Sequence, residues 1–304
     1  FPDENYGVLD SPKAEVVVKD AVNYLLTSPN RYDIISTDGK TQPEYGVNGV
    51  FFSEEYYTLM RDHLAPGGLA IQWIPIHYPP DIFKTVLNTF CRTFPHALVW
   101  YAESNCFLLG SNQPIAIDPA AIDAKLADSD LPFDGLRKFG MTSAKSILAQ
   151  LVAGEDAVLE AFSGDSTVPV NTIEKPIIEF YDLSDYQVPE VRRKEQNLEF
   201  LTSIRAKGRV GERIQQMPEP VQTAHAAEGQ YLIGQKLVLT GVKRAELERH
   251  FNKALELDPD NPHLRHHIYG HYLETGVTLM EEGNLERAEL YIRKAIEIWP
   301  HDAD

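Results

Sequence analysis

Between Ala14 and Ser111 short apolar runs alternate with amphipathic ones, and this alternation restricts the possible folds more than any single motif does. "AEVVV" (Ala14 to Val18), "YDIIST" (Tyr32 to Thr37), "LAIQWIPI" (Leu69 to Ile76), "HALVWYA" (His96 to Ala102) and "SNCFLLGS" (Ser104 to Ser111) read as strands. The intervening "DAVNYLLTS", "SEEYYTLMRDHL" and "PDIFKTVLNTFCRTF" read as helices. Ser53 is placed to cap the second, with Tyr56, Tyr57, Met60 and Leu64 on one face, and a proline opens the third. Pro66, Gly67 and Gly68 stop the middle helix. Such alternation predicts a mostly parallel sheet covered on both faces.

A linker follows from Asn112 to Pro119, then short helices in "AAIDAKLAD", "SAKSILAQLV" and "EDAVLEAF". Gly, Ser, Asp and Pro dominate Ser163 to Pro169, "NTIEKPIIEFYDL" returns to extended character, and helix formers prevail from about Val191. The sequence therefore divides into residues 1–113, 114–190 and 191–304. Phe251, Ala254 and Pro259 have the same mutual spacing as Ile292, Ala295 and Pro300, so that "KALELDP" mirrors "KAIEIWP". With Tyr272, Gly276 and Ala288, the second set has the intervals of a helix-turn-helix unit of about 34 residues. These segments, 228–261 and 269–302, resemble tetratricopeptide repeats; the first has Gln235 where the small inter-helix residue should stand. Two repeats fall below the roughly three needed for an independent solenoid, so they pack on their neighbour or dock a protein partner.

Charge bears on partners. With 45 acidic and 28 basic residues the net charge is −17, which repels nucleic acid and anionic membranes. The basic run Arg192, Arg193, Lys194, Arg205, Lys207, Arg209 and Arg213 lacks interleaved aromatics and reads as a solvated helix face. No apolar run reaches the roughly 18 residues of a membrane span. Cys91 and Cys106 have neither disulfide-framework nor metal-knuckle spacing and read as core residues. The chain opens with Phe1 and has no signal-peptide pattern, so it is expected to be a fragment, a processed product or one part of a longer protein.

In open α/β sheets ligands bind beyond the carboxyl ends of strands, so polar residues there are the first candidates. They are Lys19 and Asp20 after "AEVVV", Asp38 after "YDIIST", and Gln72 to Tyr78. Such an aspartate can accept a hydrogen bond from an adenine amine or ribose, or take a proton from an amine. Asp20 can equally cap the next helix, whereas no helix follows Asp38 at once.

The spaced motifs "VVVKDAVNYL", "YDIISTDGKTQPEYGVNGVFFSEEYYTLMRDHL" and "APGGLAIQWIP" resemble the second half of the spermidine synthase (polyamine aminopropyltransferase) family, whose members share the fold of S-adenosylmethionine-dependent methyltransferases. The likeness covers about Phe1 to Phe180. Asn171, Thr172, Pro176, Glu179 and Phe180 resemble an element of bacterial spermidine-synthase-like proteins fused to membrane segments. It implies a partial methyltransferase-type α/β sheet followed by an all-α tetratricopeptide-like region. It also implies transfer of an aminopropyl group from decarboxylated S-adenosylmethionine to a small amine, with Asp38 as the base. Asp20 and Ala21 would bind the donor, and Thr41, Tyr45 and Gln72 the acceptor. Membrane attachment would come only through parts outside this chain.

The sequence departs from that pattern at Thr41, where active members carry a second aspartate, and the Gly-rich cofactor loop has no counterpart, because "APGGL" leads from a helix into a strand. Two rival readings follow: a scaffold that binds a partner through its repeats, and a methyltransferase using S-adenosylmethionine itself. No metal is expected. His263, His267 and His271 recur every four residues on a predicted helix, but no carboxylate or cysteine stands at matching spacing.

Overall fold

The computed structural model describes residues 8–38, 49–128, 134–138, 140–165, 167–180, 187–241 and 244–300. Among them a five-stranded sheet comprises β1 (Tyr32–Thr37), β2 (Leu64–Pro75), β3 (His96–Ala102), β4 (Asn105–Ser111) and β5 (Leu151–Gly154), in the order β1-β2-β4-β3-β5. α1 (Ala21–Thr27), α2 (Glu54–Asp62) and α3 (Pro80–Thr93) alternate with the first strands. α4 (Pro119–Leu126), α5 (Asp134–Lys138) and α6 (Ala144–Leu148) precede β5, and α7 (Glu155–Ala161) follows it. The remainder is helical: α8 (Glu190–Ile204), α9 (Gly208–Gln215), α10 (Glu219–Thr240), α11 (Arg244–Leu257), α12 (Pro262–Glu281) and α13 (Leu285–Ile298). This is a mixed α/β, methyltransferase-like fold followed by an all-α region.

Local sequence accounts for the helices nearest the sheet. The Ser53 hydroxyl accepts the Tyr56 N–H at 3.2 Å, and Glu54 and Glu55 place negative charge on the first turn of α2. Tyr56, Tyr57 and Met60 turn inward, and the Tyr57 ring meets Phe90 of α3 edge-on at 5.0 Å. Together α2, α3, α7 and α8 bury one face of the sheet around Phe52, Phe83, Phe90, Val99, Val158 and Leu201. On the other face Leu98, Leu148, Leu151, Val210 and Ile214 form a separate cluster. Cys91 and Cys106 are both buried in the first core, as their apolar contexts predict.

The sheet is less parallel than the alternation predicts. β1 and β2 are parallel, whereas β2/β4, β3/β4 and β3/β5 are antiparallel. Glu103 and Ser104 join β3 to β4 with φ of 51° and 63°, the geometry of a type I′ turn, and a two-residue connection admits only antiparallel neighbours. "AEVVV" is not a strand; Val16 is 66% and Val18 93% exposed, and among the described residues no strand flanks it to complete a ladder. The glycines of "APGGL" lie inside β2, the preceding helix having ended at Asp62. "SAKSILAQLV" divides: its helix stops at Leu148, and Leu151 to Val152 begin β5 against β3. "NTIEKPIIEF" forms turns, because the buried Asn171 side chain holds it at both ends.

The basic run does not form one solvated face. Arg205 turns inward, donating to the carbonyls of Leu151 at 3.0 Å, Ala149 at 2.5 Å and His225 at 3.0 Å, and Arg213 donates to that of Ile115. In the helical region α10 packs on α11 and α12 on α13 around Tyr231, Phe251, Leu264, Tyr272 and Ala295. The small residue of the first pair is Gly234, one position before Gln235: a Cβ there would sit 2.4 Å from the Phe251 ring. Gly276 makes the matching approach to Ile292 in the second pair. α8 and α10 add Leu198, Leu201, Ile204 and Leu232 to the sheet's own core. No helix among the described residues is long and apolar enough to cross a membrane.

Candidate functional site at the carboxyl edge of the sheet

Because β1 and β2 run parallel, their carboxyl ends open on one edge. Asp38 follows the last residue of β1 and is exposed there. Beside it the ladder pairs Thr37 with Gln72. Gln72 is fully buried; its Oε1 accepts from the Tyr57 hydroxyl at 3.2 Å, and its Nε2 donates to the Trp73 carbonyl at 2.8 Å. The amide is therefore built into the wall behind the end of β1, with both its functional groups engaged.

Asp20 makes the capping bond that its position allowed, Oδ1 accepting the Asn23 N–H at 2.8 Å, and Ala21 begins α1. A carboxylate retains lone pairs beyond one such bond, so capping leaves acceptor capacity at this exposed position. Burial raises the Tyr56 phenol above the usual range, a hydrogen bond with Thr37 opposes that, and the charge of Asp20 adds to it. Tyr56 thus stands beside Thr37, next to where Asp38 emerges, and feels the charge of Asp20 through space. The 3.6-residue period of α2 marked Tyr56 as apolar and gave no sign of this polar role. Thr41 and Tyr45 lie outside the described residues. Where the chain is described again, Gly49 is clamped from outside: its N–H donates to Glu179 Oε1 at 2.6 Å, and its carbonyl accepts from Asn171 Nδ2 at 3.0 Å.

A second group of titratable side chains gathers further along the same edge. His263 and His267, one turn apart on α12, meet Glu103 at the tip of the β3–β4 turn. Glu103 Oε1 lies 2.7 Å from His267 Nε2 and 3.3 Å from His263 Nδ1. The absence of a carboxylate at matching spacing, which set these histidines aside in the sequence, is made good by a residue from the other end of the fold. His271 does not join them; its ring lies against Phe251 at 5.3 Å and Tyr272 at 5.6 Å. Burial works against ionisation of both partners, yet the histidine hydrogen bonds and charges hold Glu103 down at about 2. Burial likewise opposes the His263 imidazolium, but the charge of Glu228 and the hydrogen bond with Glu103 raise it to about 10.

Comparison with known proteins bears on the first of these sites. Residues 1–103 match the spermine/spermidine synthase domain. A polyamine aminopropyltransferase of Aeropyrum pernix is 34% identical over 92 residues, 30% of this chain and 29% of the relative. One from a Synechococcus strain is 26% identical over 175 residues, 52% of this chain and 56% of the relative. One from Mycobacterium tuberculosis is 34% identical over 103 residues, 33% of this chain and 19% of the relative. The chain thus spans about half or less of the length of these relatives.

Proposed function

We propose that the β1 corner is the acceptor side of an aminopropyl-transfer site, on the premise that residues 1–103 carry part of a spermine/spermidine synthase domain. An uncharged amine attacks the aminopropyl carbon beside the sulfonium of decarboxylated S-adenosylmethionine. The N–C bond forms as the C–S bond breaks, its electron pair returns to sulfur, and methylthioadenosine leaves. An amine with a pKa of about 10 is mostly protonated at neutral pH, so a carboxylate must hold the cation and accept its proton. Asp38 takes that role, Asp20 and Ala21 face the donor's adenine, Thr41 and Tyr45 border the acceptor, and Gln72, the acceptor-site residue of the family pattern, backs that wall from within the sheet.

The observation that carries this reading is Asp38 itself, exposed at the carboxyl end of a parallel strand inside the matched residues. With Thr41 in place of a second aspartate, a dicationic acceptor is less fully neutralised, which favours an amine of lower charge. A second reading rests on the recurring glycine contacts, Gly234 under Phe251 and Gly276 under Ile292. Here α10 to α13 are two tetratricopeptide-like repeats that dock a protein partner, in a parent protein attached to a membrane by segments outside this chain.

The test uses the full-length protein containing this chain. Isothermal titration with decarboxylated S-adenosylmethionine, S-adenosylmethionine and methylthioadenosine is followed by turnover assays of wild type and Asp38→Asn. Binding of the decarboxylated donor and a loss of about a hundredfold or more in the variant are expected. Failure to bind any of the three supports the scaffold, and methyl transfer without aminopropyl transfer supports an S-adenosylmethionine-dependent methyltransferase.

A further inference from the structure

We propose that Glu103, His263 and His267 bind a divalent transition-metal ion of the zinc class. The inference is independent of the aminopropyl-transfer reading. Glu103 Oε1, one nitrogen of His263 and one of His267 lie within 4.8 Å of one another, and they are the one such group of three among the described residues. Two imidazoles with one carboxylate suit zinc and its neighbours, whereas magnesium and calcium favour all-oxygen sets. Three protein ligands leave a fourth position open.

The backbone delivers these donors from separate parts of the fold. Positions i and i+4 on α12 place both imidazoles on one helix face. The carboxylate comes from a turn residue at φ 51°, a region that a side chain as long as glutamate adopts at a cost. Glu228 of α10 supplies an independent observation. It is 2% exposed, its Oε2 has no hydrogen-bond partner among the described residues, and its Oε1 stands 3.6 Å from His263 Nε2. That is where the outer carboxylate of a carboxylate–histidine–metal arrangement stands: His263 Nδ1 faces the ion, and Nε2–H is turned toward Glu228.

Charge agrees with geometry. Once the incoming ion has displaced the proton that Glu103 and Glu228 hold on His263, two carboxylates and two neutral imidazoles sum to −2, which a dication cancels. Of the other charged groups nearby, Arg205 interacts with Glu228 through space, but its guanidinium hydrogen bonds go to the carbonyls of Leu151, Ala149 and His225. Of the three ligands, His267 lines a cavity of about 370 Å³, together with Tyr101, Ser104, Tyr231, Gln235 and His266. Gln235 Oε1 is buried there without a hydrogen-bond partner among the described residues. An ion can therefore reach the cluster from the His267 side.

The experiment is equilibrium dialysis of the tag-free protein against buffered zinc, with elemental analysis, repeated for Glu103→Gln, His267→Gln and Glu228→Gln, and for His271→Gln as a control. About one ion per chain is expected. Affinity should fall more than tenfold in the Glu103 and His267 variants, fall about 10- to 100-fold in the Glu228 variant, and stay unchanged in the control. Cobalt substitution of the wild type should give the visible bands of a four-coordinate ion, and zinc should raise the wild-type melting temperature. The wild-type measurements stand even if a variant fails to fold. Substoichiometric zinc with no thermal shift overturns the proposal, as does binding that survives both Glu103→Gln and His267→Gln, or that is equally lost in His271→Gln.

Discussion

Lowering the pH from 6.5 to 5 should destabilise the fold through one buried histidine. His225 on α10 is 5% exposed, and its Nε2 lies 2.8 Å from the Leu151 carbonyl, an acceptor, which makes Nε2–H the donor. Burial, then the charge of Arg205, hold its pKa down at about 3, against the hydrogen bond to Leu151. In the unfolded chain a histidine takes its proton near pH 6.5. Between these values the unfolded state binds a proton that the folded state refuses, so stability falls as pH falls. Each pH unit in that window is worth about 1.4 kcal/mol, so the drop from 6.5 to 5 costs about 2 kcal/mol from this side chain. Urea unfolding of wild type and His225→Gln across pH 5 to 7 isolates it, because the other nine of the ten histidines are common to both proteins. Glutamine keeps a donor toward Leu151 and does not titrate. The wild-type curve should fall about 2 kcal/mol further than the variant's, and parallel curves would refute the assignment of His225 as a neutral buried donor.

Asn171→Ala removes the donor to the Gly49 carbonyl and the acceptor of the Ile178 N–H, both in buried surroundings. A loss of about 3 kcal/mol is expected in thermal unfolding, and a change near zero would mean that this clamp holds nothing. Gly234→Ala and Gly270→Ala should move the melting temperature in opposite directions. The first drives a Cβ to within 2.4 Å of the buried Phe251 ring, an overpacking cost of about 1–3 kcal/mol that exceeds the helix-propensity gain of about 1 kcal/mol. The second meets nothing within 4 Å and keeps only the gain.

Much of the α/β half was legible because its cues are local. "HALVWYA" coincides with β3, Ser53 caps α2 as its position suggests, and Asp38 ends a strand. Expectations that depended on neighbours fared differently. "AEVVV" has strand composition but no flanking strand among the described residues, and "LVAG" became β5 only because β3 offered an edge to pair with. Gln72 was legible as a polar residue near a strand end, but not as an amide fully engaged by Tyr57 and Trp73.

The histidines divide the two kinds of information most clearly. By itself the sequence determined that His263, His267 and His271 share a helix face, since the helical period is a property of the backbone. Only the tertiary structure decided which of them meets a carboxylate. Glu103 enters from a β-turn 160 residues away in sequence, and Glu228 from another helix. Ligand sets assembled across elements leave no period in the chain, because what brings them together is the packing of α10 and α12 on the end of the sheet. Asp38 belongs to the other kind: its placement follows from where one strand stops, and one strand is a local event.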